Sequence, residues 1–233
     1  MKEFSKIARL DFGREIRKGL PEIILADGKE PGDVARIARS MVVRTGRAIV
    51  SRATRAHLRA VRSSIRGVFT VDYMPRPRII LVKSGSYKTK PSGGRVAVLT
   101  AGTSDIPIAE EAEVLAREMG CETRAYYDVG VAGLHRLLEP LKQVLKWDAD
   151  VIVVVAGREG ALPTVVAGLV DVPVVGVPTS KSYGFGEKGL AALSAMLQSC
   201  SLGMSVVNID GGVGAGAVAA MIANRVGLFR RRH

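Results

Sequence analysis

The sequence predicts an α/β protein, a doubly wound parallel sheet preceded by a small, basic N-terminal α/β domain. The chain has 233 residues and is 47% apolar, which is enough for a large packed core. After residue 91, apolar strand-like runs alternate with helical patterns, as in a parallel sheet covered by helices on both faces. Positive charge is concentrated before residue 95, which indicates two domains, 1–90 and 91–233.

The charge is divided unevenly along the chain. Residues 1–95 contain 22 Lys and Arg against 8 Asp and Glu, a net +14, whereas residues 96–233 contain 12 against 14, a net −2. The boundary is expected near Lys88–Gly94, which has the composition of a linker. A basic domain is compatible with nucleic-acid binding, with an anionic small substrate, or with arginines that are only solvated.

The elements of the N-terminal domain are expected to form a small β-α-β unit. Pro31–Thr45 has apolar residues at helical spacing, and Ala53–Ser64 is a second basic helix. Short strands are expected at Ala48–Val50 and Ile79–Val82.

The C-terminal domain is predicted to contain five strands and five helices in alternation. Asp105 is a plausible N-cap of the first helix, and Gly120 ends it. In chain order the elements are a strand at 95–100, a helix at 107–119, a strand at 122–127, a helix at 133–145, a strand at 151–156, a helix at 162–169, a strand at 173–177, a helix at 188–199, a strand at 205–209 and a helix at 215–224.

Some classes of protein are disfavoured by composition. Two cysteines, Cys121 and Cys200, are too few for a disulfide framework, and three histidines make a histidine-built metal site a poor expectation. The longest apolar runs fall short of the roughly 20 residues that span a bilayer, and the first residues lack a signal-peptide core. We therefore expect a cytoplasmic protein that does not contact a membrane.

Four turns rich in small or polar residues follow predicted strands, where sheets of this kind bind ligands. Free backbone N–H groups at helix starts would suit a phosphate or carboxylate, although an ordinary capped turn explains the first turn equally well. The predicted binding residues in these turns are Gly102, Thr103, Ser104 and Asp105; Arg158; Thr179 and Ser180; and Gly211, Gly212 and Gly214.

Glu159 and Cys200 are the residues best suited to catalysis. Glu159 lies in a strand-end turn beside Arg158, where it is a general base, an orienting carboxylate or one half of a surface ion pair. Free cysteine is usually a small buried residue, and Cys200 follows a helix, whose negative end does not favour a thiolate. If Cys200 is a nucleophile, a bound cation or a nearby base must activate it.

Taken together, the strand-end motifs resemble the PurE-like superfamily, whose members carboxylate or rearrange aminoimidazole ribonucleotide. Gly102-Thr-Ser-Asp105 is similar to its phosphate-binding turn, and 203–216 to its closing strand and glycine turn. The resemblance implies a flavodoxin-like three-layer domain. Those enzymes carry a catalytic histidine in an Ala-His-Leu-Pro motif, where this chain has Gly160-Ala-Leu-Pro163, with Ala161 at the histidine position.

A closer resemblance is to the LarB type, the carboxylase/hydrolase that begins synthesis of the nickel-pincer nucleotide cofactor. The motifs that carry it are Ala101–Pro107, Tyr127–Arg136, Glu159–Pro163, Gly168–Pro173, Pro178–Ser180, Gly189–Leu193, Ser199-Cys200 and Val207–Asp210, with Arg14–Glu22, Gly28-Lys29 and Ser51–Ala53 in the basic domain. Ser201-Leu202 replaces the usual Ala-Ser, and Gly186-Glu-Lys188 replaces a Gly-rich approach to the helix.

The LarB resemblance implies a reaction and roles for particular residues. The implied substrates are nicotinic acid adenine dinucleotide and CO₂ or bicarbonate, which give a dicarboxylated pyridinium mononucleotide and AMP. Cys200 would add to the pyridinium ring, and Glu159 would act as a base or position water. Mg²⁺ would assist phosphoanhydride hydrolysis, with Asp105, Asp128 and Asp210 as candidate ligands. Arg14, Arg17, Lys29 and Arg52 would face the nucleotide, and a closed homo-oligomer is expected.

Two alternatives stay open at this point. An aminoimidazole ribonucleotide carboxylase or an N5-carboxyaminoimidazole ribonucleotide mutase is favoured by the fold and disfavoured by Ala161. A nucleic-acid-binding protein is favoured by the basic domain. The aromatic content of 5% argues against stacking on single strands, so nucleic acid is not the expected partner.

Overall fold

The structure is a computed structural model that describes residues 9–231. The described residues divide between Lys88 and Thr89 into two compact units, called here the N-terminal and C-terminal units. Each unit has its own sheet and its own apolar core.

The N-terminal unit is a four-stranded mixed sheet with helices. Its elements are α1 (Arg14–Lys18), β1 (Ile23–Leu25), α2 (Pro31–Thr45), β2 (Arg47–Ser51), α3 (Arg55–Ser64), β3 (Phe69–Met74) and β4 (Ile79–Ser84). The strand order is β1-β2-β4-β3, with β1 parallel to β2 and the other pairs antiparallel. The predicted β-α-β unit, built on β2 and β4, is wrong because these strands are antiparallel. The parallel pair is β1 and β2, which α2 connects.

Helices α2 and α3 begin and end at recognisable residues. Pro31 occupies the start of α2, and Gly46, with φ of 78°, ends it in the left-handed region that glycine adopts readily. The side chain of Thr54 accepts a hydrogen bond from the His57 backbone N–H and so caps α3. The apolar faces of both helices contribute to the core, through residues such as Val34 and Val61.

The C-terminal unit alternates strands and helices. Its elements are β5 (Arg95–Thr100), α4 (Ile106–Glu118), β6 (Glu122–Tyr126), α5 (His135–Lys146), β7 (Val151–Ala156), α6 (Ala161–Ala167), β8 (Val174–Pro178), α7 (Leu190–Leu197), β9 (Met204–Val206) and α8 (Gly212–Arg230). All five strands are parallel, in the order β6-β5-β7-β8-β9. Renumbered within this unit the order is 2-1-3-4-5, which confirms a flavodoxin-like doubly wound sheet.

Helices cover both faces of this sheet. Every residue of β7 is buried, as expected for a central strand between two helical layers. On one face, α5, α6 and α7 enclose a core that includes Leu137, Leu162 and Met196. On the other face, α4 packs against α8.

Glycines in α8 allow it to lie unusually close to α4. A Cβ atom at Gly212 would lie 2.3 Å from the Ile108 carbonyl oxygen, and one at Gly216 would lie 2.5 Å from that of Ala112. The helix begins before the predicted 215–224 segment and ends after it. By length and composition alone α8 could cross a bilayer, and in the structure it packs on α4 and on the sheet.

All strands of the parallel sheet begin at one side of the sheet and end at the opposite side. The backbone N–H of Val174, at the start of β8, donates to the Gly203 carbonyl (3.0 Å). The carbonyl of Pro178, at the end of β8, accepts from the Asp210 N–H (2.9 Å). We call the side where the parallel strands begin the amino edge, and the side where they end the carboxyl edge.

Candidate functional site

A cleft of about 310 Å³ opens at the carboxyl edge of the C-terminal unit. Turns that follow four strands line it, as expected for ligand sites in such sheets. The lining residues are Ala101, Gly102, Ser104 and Asp105 after β5; Gly130, Val131, Ala132 and Arg136 after β6; Ala156, Gly157, Arg158, Glu159, Ala161 and Leu162 after β7; and Lys181 after β8. Among the predicted site residues, Gly102, Ser104, Asp105, Arg158 and Glu159 therefore share one cleft.

Asp105 joins the turns that form the cleft. Its side chain accepts hydrogen bonds from the Gly102 N–H (3.0 Å) and the Thr179 hydroxyl (2.7 Å), and it also receives one from the Gly157 N–H. The residue is buried, and burial raises the pKa of its carboxyl against the opposing effect of these hydrogen bonds. Asp105 does not cap α4 with its side chain. It ties together three strand-end turns instead.

The Thr179–Asp105 contact requires a glycine beside it. Thr179 is fully buried, and a Cβ atom at Gly157 would lie 2.8 Å from its hydroxyl oxygen. Ser180 donates its backbone N–H to the Asp210 carboxylate (2.9 Å). Thr179 and Ser180 thus support the floor of the cleft through protein contacts.

Glu159 is the exposed carboxylate of the cleft. It has no ion pair or hydrogen bond within residues 9–231, so the alternative of a surface ion pair is not realised there. Ala161 begins α6 beside it, and none of the described lining residues is histidine. Among the described lining residues, Glu159 therefore offers an exposed carboxylate and no residue offers an imidazole.

Two cations of the cleft have no acidic partner among the described residues. The Arg158 guanidinium lies 4.2 Å from the centre of the Tyr183 ring, and Arg158 has a φ of 53°, which is rare for a residue with a Cβ. Lys181 lines the cleft with no ion pair or hydrogen bond in the described part of the chain. A ligand with a negative charge would be stabilised at this side of the cleft.

The three candidate metal ligands do not assemble as a direct Mg²⁺ site within residues 9–231. The Asp128 carboxylate pairs with Arg136 (2.9 Å), and Asp210 accepts from the Ser180 N–H. Asp105 accepts hydrogen bonds from the Gly102 N–H and the Thr179 hydroxyl. Each of these carboxylates therefore already has a protein partner on at least one of its oxygens.

The glycine-rich turn has a packing role. Gly212 faces α4, Gly211 lies close to the Asn208 carbonyl, and Gly214 has open space around it. None of the three is among the residues that line the cleft. The close packing of α8 on α4 accounts for Gly212 without a phosphate.

Cys200 is exposed, so it is not core filler. It lies between α7 and β9, three residues before Gly203, which is hydrogen-bonded to the start of β8. Cys200 is therefore at the amino edge, whereas Glu159 is at the carboxyl edge. A five-residue strand such as β8 spans roughly 16 Å, which sets the scale of their separation within one chain.

The arginines predicted to face the nucleotide have partners inside the N-terminal unit. Arg14 pairs with Glu22 (2.7 Å), Arg17 with Asp11 (2.5 Å), and Arg52 lies 3.9 Å from Asp27. Lys29 donates to the Leu25 carbonyl (2.6 Å). Their role in substrate binding stays a prediction.

The sequence-based reasoning missed three residues around the cleft: Arg136, Lys181 and Tyr183. Lys181 and Tyr183 lie in the turn after β8, and a position after a parallel strand is itself a reason to expect them near a ligand site. The aromatic contact with Arg158 depends on how two separate turns fold together, which no local pattern encodes.

Comparison with known proteins agrees with this architecture. Residues 95–227 match the model of the AIR carboxylase family. The chain belongs to this family. Residues 2–84 match the LarB/PurE-like N-terminal domain, so this AIR carboxylase domain carries a LarB-type partner domain in front of it.

Several curated proteins are similar in sequence to this chain. An uncharacterized protein of Methanocaldococcus jannaschii is 40% identical over 225 residues, covering 95% of this chain and 86% of the relative. The N5-carboxyaminoimidazole ribonucleotide mutase of the same organism is 32% identical and covers 55% of this chain and 75% of the relative. The mutase of Thermotoga maritima is 28% identical, with 58% and 71% covered. The two domain matches together support a LarB-like carboxylase of the PurE-like superfamily.

Proposed function

We propose that the protein carboxylates the pyridinium ring of nicotinic acid adenine dinucleotide at C5 and hydrolyses its phosphoanhydride with water, which releases AMP and the dicarboxylated pyridinium mononucleotide. The observation that carries the proposal is a cleft with the exposed carboxylate of Glu159, and with Ala161 where the purine enzymes have histidine, in a chain with a LarB-type N-terminal domain. A carboxylate and a thiol are better suited to carboxylation of the pyridinium ring than to a mutase reaction that depends on histidine.

The ring must first be made nucleophilic, because a pyridinium is electron-poor. The Cys200 thiolate forms an Sγ–C4 bond, and the electron pair moves toward the ring nitrogen to give a dihydropyridine with an enamine at C5. C5 attacks the carbon of CO₂. Glu159 removes the C5 proton, and the ring then regains aromaticity as the Sγ–C4 bond breaks and the thiolate leaves.

The cations of the cleft suit the rest of the substrate. Arg158 and Lys181 lack acidic partners among the described residues, so they are available to bind the pyrophosphate. The positively charged ring supplies the stabilisation of the thiolate that the end of α7 does not.

The mechanism requires Cys200 and Glu159 at the same ring, although they lie at opposite edges of one sheet. A second copy of the chain that presents its amino edge to the cleft would satisfy this requirement. We therefore propose a homo-oligomer in which each reaction site combines the Glu159 of one copy with the thiol of another.

Mass spectrometry of the products tests the proposal. Wild-type protein and C200A are incubated with nicotinic acid adenine dinucleotide, Mg²⁺ and ¹³C-bicarbonate. We expect AMP and a labelled dicarboxylated mononucleotide from the wild type and no carboxylation by C200A. An unchanged dinucleotide with the wild-type protein would refute the proposed activity.

A second candidate function is supported by the relatives named N5-carboxyaminoimidazole ribonucleotide mutase, at 28–32% identity. The same assay with aminoimidazole ribonucleotide and its N5-carboxylated form distinguishes the two. Turnover of these compounds, with the dinucleotide unchanged, would favour the mutase.

A further inference from the structure

The N-terminal unit contains a cavity of its own, separate from the cleft of the C-terminal unit. It has a volume of about 430 Å³ and lies between the second half of α2 and the segment from the end of α3 to the start of β3. We call it the α2–α3 groove. The lining residues are Arg39, Val42, Val43, Ser63, Ser64, Ile65, Arg66 and Phe69. Small-ligand sites in proteins commonly begin at about 300 Å³.

The groove combines an apolar floor with a polar rim. Val42 and Ile65 are buried, the Phe69 ring is half-buried, and Val43 is exposed. Ser63 and Ser64 lie on the same lining as two arginines, Arg39 and Arg66. One part of the groove can therefore accept an apolar or planar group, and the other can donate hydrogen bonds to an anion.

The two arginines of the groove, Arg39 and Arg66, differ from others in this unit. Neither has an ion pair, hydrogen bond or ring contact within residues 9–231. By contrast, Arg36 pairs with Asp33, and Arg44 stacks on Phe12. The groove thus presents two guanidinium groups that no described side chain neutralises.

The surrounding helices reinforce this positive charge. Helices α2 and α3 contain one acidic residue, Asp33, and it is already paired with Arg36. The arginines on these helices are Arg36, Arg39, Arg44, Arg55, Arg59 and Arg62. Such a surface attracts anions over distances comparable to the Debye length, roughly 8 Å at physiological ionic strength.

Stabilisation of the helix ends does not account for the two groove arginines. Basic residues in the last turn of a helix interact favourably with its dipole, and Arg44 and Arg62 occupy such positions. Arg39 lies in the interior of α2, and Arg66 lies beyond the end of α3. A ligand explains their convergence on one cavity.

We propose that the α2–α3 groove binds a nucleoside monophosphate. Its base packs against Phe69 and the aliphatic floor, and its phosphate accepts hydrogen bonds from Arg39, Arg66 and the serine hydroxyls. This site is independent of the cleft and does not depend on the proposed carboxylation.

Hydrogen-exchange mass spectrometry of the full chain tests the proposal with AMP as the probe. AMP should slow exchange in peptides that cover 39–45 and 63–69. In the variant R39Q/R66Q, the AMP concentration that gives half-maximal protection should rise at least about tenfold, because charge-assisted hydrogen bonds to the phosphate are lost. The matched control R59Q/R62Q also removes two positive charges, but from positions on α3 outside the groove lining. Its half-maximal AMP concentration should remain within about twofold of the wild-type value.

Adenosine and inorganic phosphate complete the experiment. Each should protect these peptides more weakly than AMP, because each fills only half of the groove. The proposal is overturned if AMP gives no protection there, or if phosphate alone matches AMP. It is also overturned if both double variants lose binding equally, which would indicate a diffuse polyanion-binding face such as a nucleic acid would use.

Discussion

The two edges of the five-stranded sheet differ in what they offer to a substrate. The carboxyl edge has a shaped cleft, a free carboxylate at Glu159 and two cations without acidic partners among the described residues. The amino edge has an exposed thiol, Cys200, in a short connection between α7 and β9. Neither edge of a single chain is therefore sufficient for the proposed reaction.

The largest expected effect is at the amino edge. C200A should lower the carboxylation rate at least about a thousandfold, as removal of a covalent nucleophile commonly does. Cys121 offers a matched control, because it is buried and burial raises its pKa to about 11, which keeps the thiol protonated and unreactive. Steady-state rates of C200A and C121A check this. Equal losses in both variants would contradict a specific role for Cys200.

At the carboxyl edge, E159Q should lower the carboxylation rate about a hundredfold, within the range for loss of a general base. The glutamine retains the size of the side chain but cannot accept a proton. E139Q, on the exposed side of α5, should keep wild-type activity. The carboxylation rates of both variants are measured with saturating dinucleotide. Full activity in E159Q would contradict the role of Glu159 as the base.

D105N tests the tie between the strand-end turns. The asparagine can still accept from Thr179, but its NH₂ group then faces the Gly102 N–H. We expect a loss of about 1–3 kcal/mol in the free energy of unfolding. The exposed D171N is the control. Urea unfolding monitored by circular dichroism gives both values.

The same variant has a pH signature. Burial raises the pKa of Asp105 in the folded state, so the native protein binds more protons than the unfolded chain between the ordinary value of 3.8 and the raised one. The contribution of Asp105 to stability is therefore largest at low pH and falls as the pH rises through this interval. D105N should lack that component of the pH dependence. An unchanged profile would contradict the burial effect.

The smallest effect is expected at the rim of the cleft. Y183L removes the ring that holds the Arg158 guanidinium and should raise KM for the dinucleotide about threefold to tenfold, with little change in kcat. Y183F keeps the ring and should behave like wild type. F185L alters a neighbouring, fully exposed aromatic residue and is the control. A change in kcat alone would argue against a positioning role in binding.

Much of the fold follows from local pattern. Strands 95–100 and 151–156 have the predicted bounds because apolar runs of that length, bounded by polar or small residues, fit buried parallel strands. The sequence pattern predicts only the 215–224 part of α8 because its first glycines resemble a turn, whereas packing on α4 stabilises a helix from Gly212. The short strand β1 and the half-exposed β3 carry too weak an apolar pattern to be recognised.

The site was predictable only in part. The position of Glu159 after a strand placed it correctly at the carboxyl edge, and the resemblance identified Cys200. The separation of the two could have been deduced from topology, since a residue that precedes a parallel strand lies at the opposite edge from one that follows it. The roles of Asp105 and Gly212 depend on contacts between distant turns and helices, which the local sequence does not specify.

Complementation between two inactive variants is the most direct test of the account. C200A and E159Q, each with a different tag, are co-expressed, and mixed oligomers are isolated through both tags. If each site combines the thiol of one copy with the carboxylate of another, the isolated mixed oligomers should regain about half of the wild-type sites in a dimer and about a quarter in a large oligomer, with a corresponding carboxylation rate. Mixed oligomers as inactive as either parent would contradict a site shared between copies.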